Sequence, residues 1–190
     1  YRAGLQQGAQ AIEAVIDAWA ARELADNPVV AEVERAPASE GRRWYLRING
    51  EEKDVYTVWF TLRQRTLHYE TYVMPAPEEN HGRLYEHLLR RNQGFNGLAF
   101  VIGIEDAVFL QGSLPVHAVD DDELDRILGS FYAYVEQCFR PAMRIGFASR
   151  FPSSGIFLTP LSPQGFLTCF RPFRYHGGSG ATGGIEGRCT

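Results

Sequence analysis

The chain has little cysteine and almost no lysine. Its 190 residues include three cysteines, an odd number without the regular spacing of a disulfide framework. The sequence therefore favours a reducing, cytoplasmic compartment. Lys53 is the single lysine among 19 basic residues, a bias that we attribute to GC-rich codons. Neither a disulfide nor a metal is needed for folding, because a unit of about 150 residues can bury a sufficient core.

Long hydrophobic runs are also missing. No apolar run approaches the roughly 18 residues of a membrane span, and the N-terminus lacks the basic-then-apolar order of a signal peptide. We therefore expect no membrane partner. An alternative stays open, in which a leader precedes Tyr1, because the sequence does not begin with methionine.

Most of the chain lacks an excess of basic charge. Residues 1–148 carry 15 basic and 22 acidic side chains, a net charge of −7, whereas residues 149–190 carry 4 and 1, a net charge of +3. A negatively charged domain repels phosphate backbones. We therefore expect no nucleic-acid partner for the larger part.

What the chain does have is an ordered series of hydrophobic patterns. Apolar residues at steps of three and four predict helices over residues 5–24, 84–92 and 124–139. Alternating or short apolar runs predict strands over residues 43–48, 54–62, 67–74, 98–102 and 107–110. The last two strands are nearly all apolar, which predicts central or doubly covered positions, and Pro141 should bend or stop the last helix.

The order α-β-β-β-α-β-β-α predicts an α+β fold. Consecutive strands form antiparallel hairpins, so we expect an antiparallel sheet with the helices packed mainly on one side. The composition changes after Ala148, because residues 149–190 contain five Phe, four Pro and eight Gly. We therefore divide the chain into a domain, residues 1–148, and an irregular or partly disordered appendage, residues 149–190.

The origin of the appendage stays open. Residues 177–184 have the composition of a flexible linker, and residues 185–188 spell a protease recognition tetrapeptide often used in expression vectors. The appendage is native, frame-shifted or vector-derived. One hypothesis is that its phenylalanines fold back onto the sheet and imitate a bound partner.

Three motifs that suggest ligand sites are better explained by structure alone. Residues 178–183 match a dinucleotide fingerprint, but the chain ends seven residues later, with no room for the helix that this motif requires. The acidic run at residues 120–123 fits the first turn of a helix, where it caps free N–H groups. His81 and His87 are six residues apart, on different faces of a helix, and fit solvated positions. We predict no catalytic, cofactor-binding or metal-binding residue and no cofactor.

The strand face that carries Trp59 is the candidate binding surface. Tyr56, Val58, Phe60 and Leu62 fit the core, which leaves Trp59 on the opposite face. Exposed aromatic area often marks a partner surface. The alternative, that a loop or the N-terminal helix covers Trp59, stays open.

His68, Glu70 and Tyr72 share one face of the next strand. We include them with Trp59 in the candidate partner-binding surface. A histidine beside a carboxylate is also typical of a general base, so a small-molecule site or an undetected enzyme using this face is the alternative. No nucleophile can be assigned beside them.

Two long runs carry a family resemblance. Residues 57–72 (TVWFTLRQRTLHYETY) and 133–143 (AYVEQCFRPAM), within the stretch 44–146, resemble actinobacterial proteins with a YbjN domain. The resemblance implies a type III secretion chaperone-like fold and a non-catalytic, dimeric protein that holds or regulates a partner polypeptide. It also implies a link to sensory transduction regulation. The leading hypothesis is a cytoplasmic homodimer that binds a protein or peptide on its sheet.

Overall fold

The fold is built on a six-stranded antiparallel sheet. The computed structural model describes residues 2–151, with side chains from residue 10 onward. The helices are α1 (Arg2–Asp26), α2 (His81–Asn92) and α3 (Asp121–Gly146). The strands are β1 (Val30–Arg35), β2 (Arg43–Asn49), β3 (Val55–Leu62), β4 (Thr66–Met74), β5 (Ala99–Ile102) and β6 (Val108–Pro115). Their order in the sheet is β1-β2-β3-β4-β6-β5, which confirms the α+β class and the antiparallel sheet.

Alternating burial separates the two faces of the sheet. On β3 the predicted core residues are buried, and the residues between them are not. Trp19 of α1 packs edge-to-face on Phe60 with ring centroids 5.4 Å apart, and Phe131 of α3 packs on Tyr69 at 5.9 Å. Leu84 of α2 is buried in the same core. The three helices therefore lie on one side of the sheet, as expected.

Two carboxylates fix α1 between the sheet and α3. Asp125 of α3 accepts a hydrogen bond from Trp19 Nε1 at 2.7 Å, and Asp17 of α1 accepts one from Trp44 Nε1 at 2.6 Å. Both indole rings are fully buried. Because an unpaired buried N–H costs about 1–3 kcal/mol, these bonds determine where the helix lies.

The two edges of the sheet differ from the sequence prediction. The sequence patterns miss β1, which carries several charged residues and buries only Val30, as is common for edge strands. The central or doubly covered position predicted for β5 is wrong, because β5 is the other edge and Ile102 is 52% exposed, whereas β6 lies inside the sheet as predicted. The Asn92 side chain of α2 protects this edge: its Nδ2 donates to Phe100 O at 3.2 Å and its Oδ1 accepts from Phe100 N at 2.7 Å.

Pro141 does not stop α3, so of the two expected effects, a bend or an end of the helix, the end at this proline is wrong. The helix continues to Gly146, although an internal proline typically costs about 3 kcal/mol. Tertiary contacts hold the last turn: Ala142 is fully buried, and the Gly146 carbonyl accepts hydrogen bonds from the N–H groups of Glu78 and Glu79 at 3.0 and 3.1 Å.

A short turn, Ala148–Arg150, follows α3. It is held on the domain by Ser149, whose backbone N–H donates to Glu79 Oε1 at 2.6 Å. The glycine motif at 178–183 and most of the phenylalanine-rich appendage lie outside the described residues. Among the helices that the structure describes, none is both long and apolar enough to cross a membrane.

Candidate functional site

The candidate surface is the face of the sheet opposite the helices. Strand register places Tyr45, Trp59, Glu70 and Gln111 in one row across β2, β3, β4 and β6. The packing of α1 against Phe60 places that helix on the opposite face, so the N-terminal helix does not cover Trp59. The structure thus brings the sequence-predicted residues onto one surface, which we call the open face.

Aromatic side chains cluster at the centre of the open face. Tyr72 packs edge-to-face on Phe109 with ring centroids 5.6 Å apart, and Trp59 approaches Phe109 at 6.4 Å. Tyr45 lies directly across from Trp59 in the ladder. We call these four residues the aromatic patch. Tyr72 is 37% exposed, so the patch presents apolar area together with polar phenol groups, as binding surfaces often do.

His68 and Glu70 are neighbours on the open face without a direct bond. His68 lies across from Thr61 on β3 and Ser113 on β6, and no hydrogen bond joins the ring to either hydroxyl within residues 10–151. Burial, and then the charge of Arg63, lower the pKa of His68, which favours the neutral form of the ring. An activated nucleophile needs a base within hydrogen-bond reach, and this geometry does not supply one.

A shallow concavity lies beside the aromatic patch. Its volume is about 330 Å³, and its lining includes Arg43, Trp59, Arg63, His68 and Glu70. Both arginines are exposed and stand at one end of the open face. The concavity therefore combines aromatic side chains with two cations and one carboxylate.

Lys53 extends the site at the opposite end of the strands. It lies in the loop between β2 and β3, and its Nζ donates to the carbonyls of Tyr72 and Val73, the latter at 2.9 Å. The ammonium also faces the Tyr72 and Phe139 rings, 5.0 and 5.6 Å from their centroids. Burial lowers the pKa of Lys53 to about 8. The single lysine thus supports the backbone and ring of a patch residue.

We expect Lys53→Met to remove a pH-dependent part of the stability. The pKa of Lys53 falls from 10.5 to about 8 on folding, so the unfolded chain binds more protons between these values. The free energy of unfolding therefore rises with pH there. Between about pH 7 and 9.5, the free energy of unfolding of the natural chain should rise by about 1 kcal/mol more than that of the variant, after allowance for the partial exposure of Lys53. Urea unfolding at both pH values measures this, and parallel pH profiles would contradict it.

The other sequence motifs have structural explanations in the fold. Asp120 caps α3, because its Oδ1 accepts from Glu123 N at 2.9 Å, as predicted. Within the described residues, no group of three His, Cys, Asp or Glu side chains is placed to hold a metal ion. His81 is exposed, whereas His87 is half-buried. The Nε2 atom of His87 is buried and has no hydrogen-bond partner among the described residues. The solvated position predicted for His87 is therefore wrong, because α2 packs against the core.

Sequence reasoning missed several residues of this surface, among them Tyr45, Phe109 and Lys53. The all-apolar run around Phe109 shows no alternation, so only pairing of Phe109 with Tyr72 assigns it to the open face. Lys53 is isolated in sequence from the rings that it faces. The sequence shows that Lys53 is the single lysine, but composition alone does not connect it with Tyr72.

Comparison with known proteins identifies relatives for most of the domain. A family model, YbjN, described as "Putative bacterial sensory transduction regulator", matches residues 9–142. An uncharacterized protein of Mycobacterium tuberculosis is 31% identical over 104 residues, 55% of this chain and 57% of that protein. One of Mycobacterium leprae is 29% identical over 107 residues, 56% and 58% of the two chains. The chain thus spans little more than half the length of these relatives.

Two solved structures resemble the fold. One is the Yersinia pestis type III secretion chaperone SycH in complex with a stable fragment of YscM2, with a TM-score of 0.45 and 14% identity, covering 67% of this chain and 98% of that chain. The other is the heterodimeric ExoU-SpcU complex from the type III secretion system of Pseudomonas aeruginosa, with a TM-score of 0.43 and 15% identity, covering 68% and 93%. This likeness concerns the course of the main chain and not a function.

Proposed function

Because the chain belongs to the YbjN family, we propose that it is a non-catalytic, chaperone-like or regulatory module that binds a protein partner. Binding is a property of the domain, residues 1–148, with residues 149–190 as an appendage. The observation that carries the proposal is the aromatic patch on a sheet face opposite all three helices. Such a face suits an extended or amphipathic segment, because aromatic side chains contribute much of the energy of binding surfaces.

Trp59→Ala should weaken partner binding at least about ten-fold, because buried tryptophans are frequent hot spots. The full chain is used to capture partners from an extract of the native host. The partner is identified by mass spectrometry and purified, and its Kd is measured by calorimetry. Leu24→Ala is the matched control, because Leu24 is 45% exposed on α1, away from the open face.

Equal losses in both variants, or none in Trp59→Ala, would contradict the use of the open face. A thermal-shift screen with metabolites, nucleotides and metals tests the alternative of a small-molecule site. A ligand that raises the Tm of the natural chain, but not of a His68→Ala variant, would favour that alternative.

We also propose that the protein is a cytoplasmic homodimer. Cysteine usage supports the compartment: Cys138 is free and buried, as in proteins of reducing environments. Three exposed apolar side chains on neighbouring elements support the dimer: Leu89 of α2 is 67% exposed, Ile102 of β5 52% and Ile104 81%. We call these the α2–β5 patch. The Asn92 side chain already bonds to the backbone N–H and C=O groups of Phe100 on β5. A dimer contact at the α2–β5 patch would therefore use side chains rather than strand pairing.

A further inference from the structure

We propose that the segment held on the open face is acidic, with a carboxylate four residues along the chain from a bulky apolar side chain. The inference rests on the proposed function and names the chemistry of its partner. Its basis is the distribution of charge at one end of the open face. That end carries Arg43 and Arg63 beside His68, and we call the two arginines the basic rim.

The arginines of the basic rim lack carboxylate partners among residues 10–151. Eight other arginines of the described residues are paired, such as Arg22 with Asp125 at 2.9 Å and Arg126 with Glu123 at 2.6 Å. Those without a carboxylate within salt-bridge distance there are Arg65, Arg83, Arg91 and Arg144, of which none lines the concavity on the open face. In a domain with a net charge of −7, two neighbouring unpaired guanidinium groups are available to an incoming anion. A planar guanidinium is well suited to a carboxylate, which it binds through two parallel N–H donors.

The strand ladder determines the spacing of the partner's residues. Tyr72, Glu70 and His68 follow one another along the open face of β4, two residues apart. Tyr72 of the aromatic patch is therefore about 13 Å along the strand from His68, which lies beside the basic rim, at roughly 3.3 Å per residue. An extended peptide places its residues i and i+4 over these two points. Glu70 repels an acid at i+2, so an apolar residue there, over Trp59, fits best.

Charge also distinguishes this partner from two competitors. The appendage, residues 149–190, has a net charge of +3, the same sign as the basic rim, so the chain's own tail is the poorer match. A nucleic acid also offers anions, and its bases could stack on the aromatic patch. A long polyanion, however, extends over the whole acidic surface and is repelled by the net charge of −7 on residues 1–148. A short acidic segment contacts mainly the basic rim. An acidic segment of another protein is thus favoured.

Synthetic peptides without tryptophan test the inference on the full chain. Each has phenylalanine at positions i and i+2 and serine between, with aspartate, serine or arginine at i+4. Trp19 and Trp44 are fully buried and Trp59 is partly exposed on the open face, so tryptophan fluorescence reports binding there. A single-stranded oligothymidine is the fourth probe.

Two double variants separate local from general charge effects. Arg43→Gln with Arg63→Gln removes the basic rim. Arg83→Gln with Arg144→Gln removes the same charge from two exposed arginines on α2 and α3. We expect the aspartate peptide to bind the natural chain more tightly than the other peptides. The first double variant should bind it about five-fold more weakly, as expected for two exposed ion pairs, and the control should not change.

The outcomes distinguish this inference from the proposed function. Equal affinity of the natural chain for the three peptides, together with loss of all three in Trp59→Ala, would overturn the acidic partner and leave the binding face in place. Because this variant lacks the fluorescent reporter, its affinities are measured by calorimetry. Equal losses in the two double variants would also overturn it, because only net charge would then matter. Tighter binding of oligothymidine than of the aspartate peptide, or no peptide binding at all, would likewise overturn it. The protein partner captured through Trp59 tests the proposed function separately.

Discussion

Gly112→Ala should destabilise the domain by about 3 kcal/mol, the largest effect that we expect from one added methyl group. A Cβ at this position would lie 2.0 Å from the Gly97 carbonyl oxygen and 2.4 Å from the Tyr69 ring. Tyr69 cannot move away, because it is 1% exposed and its ring packs on Phe60 and Phe131. Its hydroxyl also donates to the Gly97 carbonyl at 3.2 Å.

Gly129→Ala is the matched control for this substitution. Gly129 lies on α3, and a Cβ there meets nothing within 4 Å. Alanine loses less conformational entropy in a helix than glycine, so the control should stabilise the domain by about 0.5–1 kcal/mol. Urea unfolding followed by tryptophan fluorescence measures both. A Gly112→Ala variant within about 1 kcal/mol of the natural chain would show that Tyr69 can shift, contrary to this prediction.

Leu89→Asp should raise the dissociation constant of the proposed homodimer at least about 100-fold. Leu89 is 67% exposed in the single chain, and an interface built on the α2–β5 patch would bury it in both copies. A symmetric interface doubles each substitution, and two desolvated carboxylates without partners cost several kcal/mol. Sedimentation equilibrium over a range of concentrations measures the change directly.

Leu24→Asp is the control for the dimer. Leu24 is 45% exposed on α1, so the control adds the same charge outside the α2–β5 patch. It should leave the dissociation constant within about two-fold of the natural value. A natural chain that sediments as a monomer, or equal dissociation of the two variants, would contradict the proposed interface.

Local patterns predicted the parts of the fold that depend on a few neighbouring residues. Strict alternation on β3 identified Trp59 and the buried Phe60 correctly, because side chains of a strand point to opposite faces in turn. The acidic run before α3 identified the cap at Asp120, because capping joins residues three apart. Apolar spacing over residues 5–24 identified α1, which ends at Asp26, directly before Asn27 and Pro28.

Local sequence patterns failed where contacts with distant segments determine the secondary structure. The charged strand β1 has little periodicity of its own and exists through pairing with β2. Pro141 stays within α3 because buried neighbours and the Gly146 carbonyl hold the following turn. In both cases tertiary contacts offset a local preference that points the other way.

Composition and spacing within single segments were enough to predict the α+β class, the acidic character of residues 1–148 and the alternation that turns four side chains away from the core: Trp59, His68, Glu70 and Tyr72. Only the tertiary structure placed Phe109 and Lys53 beside Tyr72 and set Arg43 and Arg63 at one end of the same face. The register between strands and the docking of loops depend on packing between residues far apart in the chain, which no local pattern records.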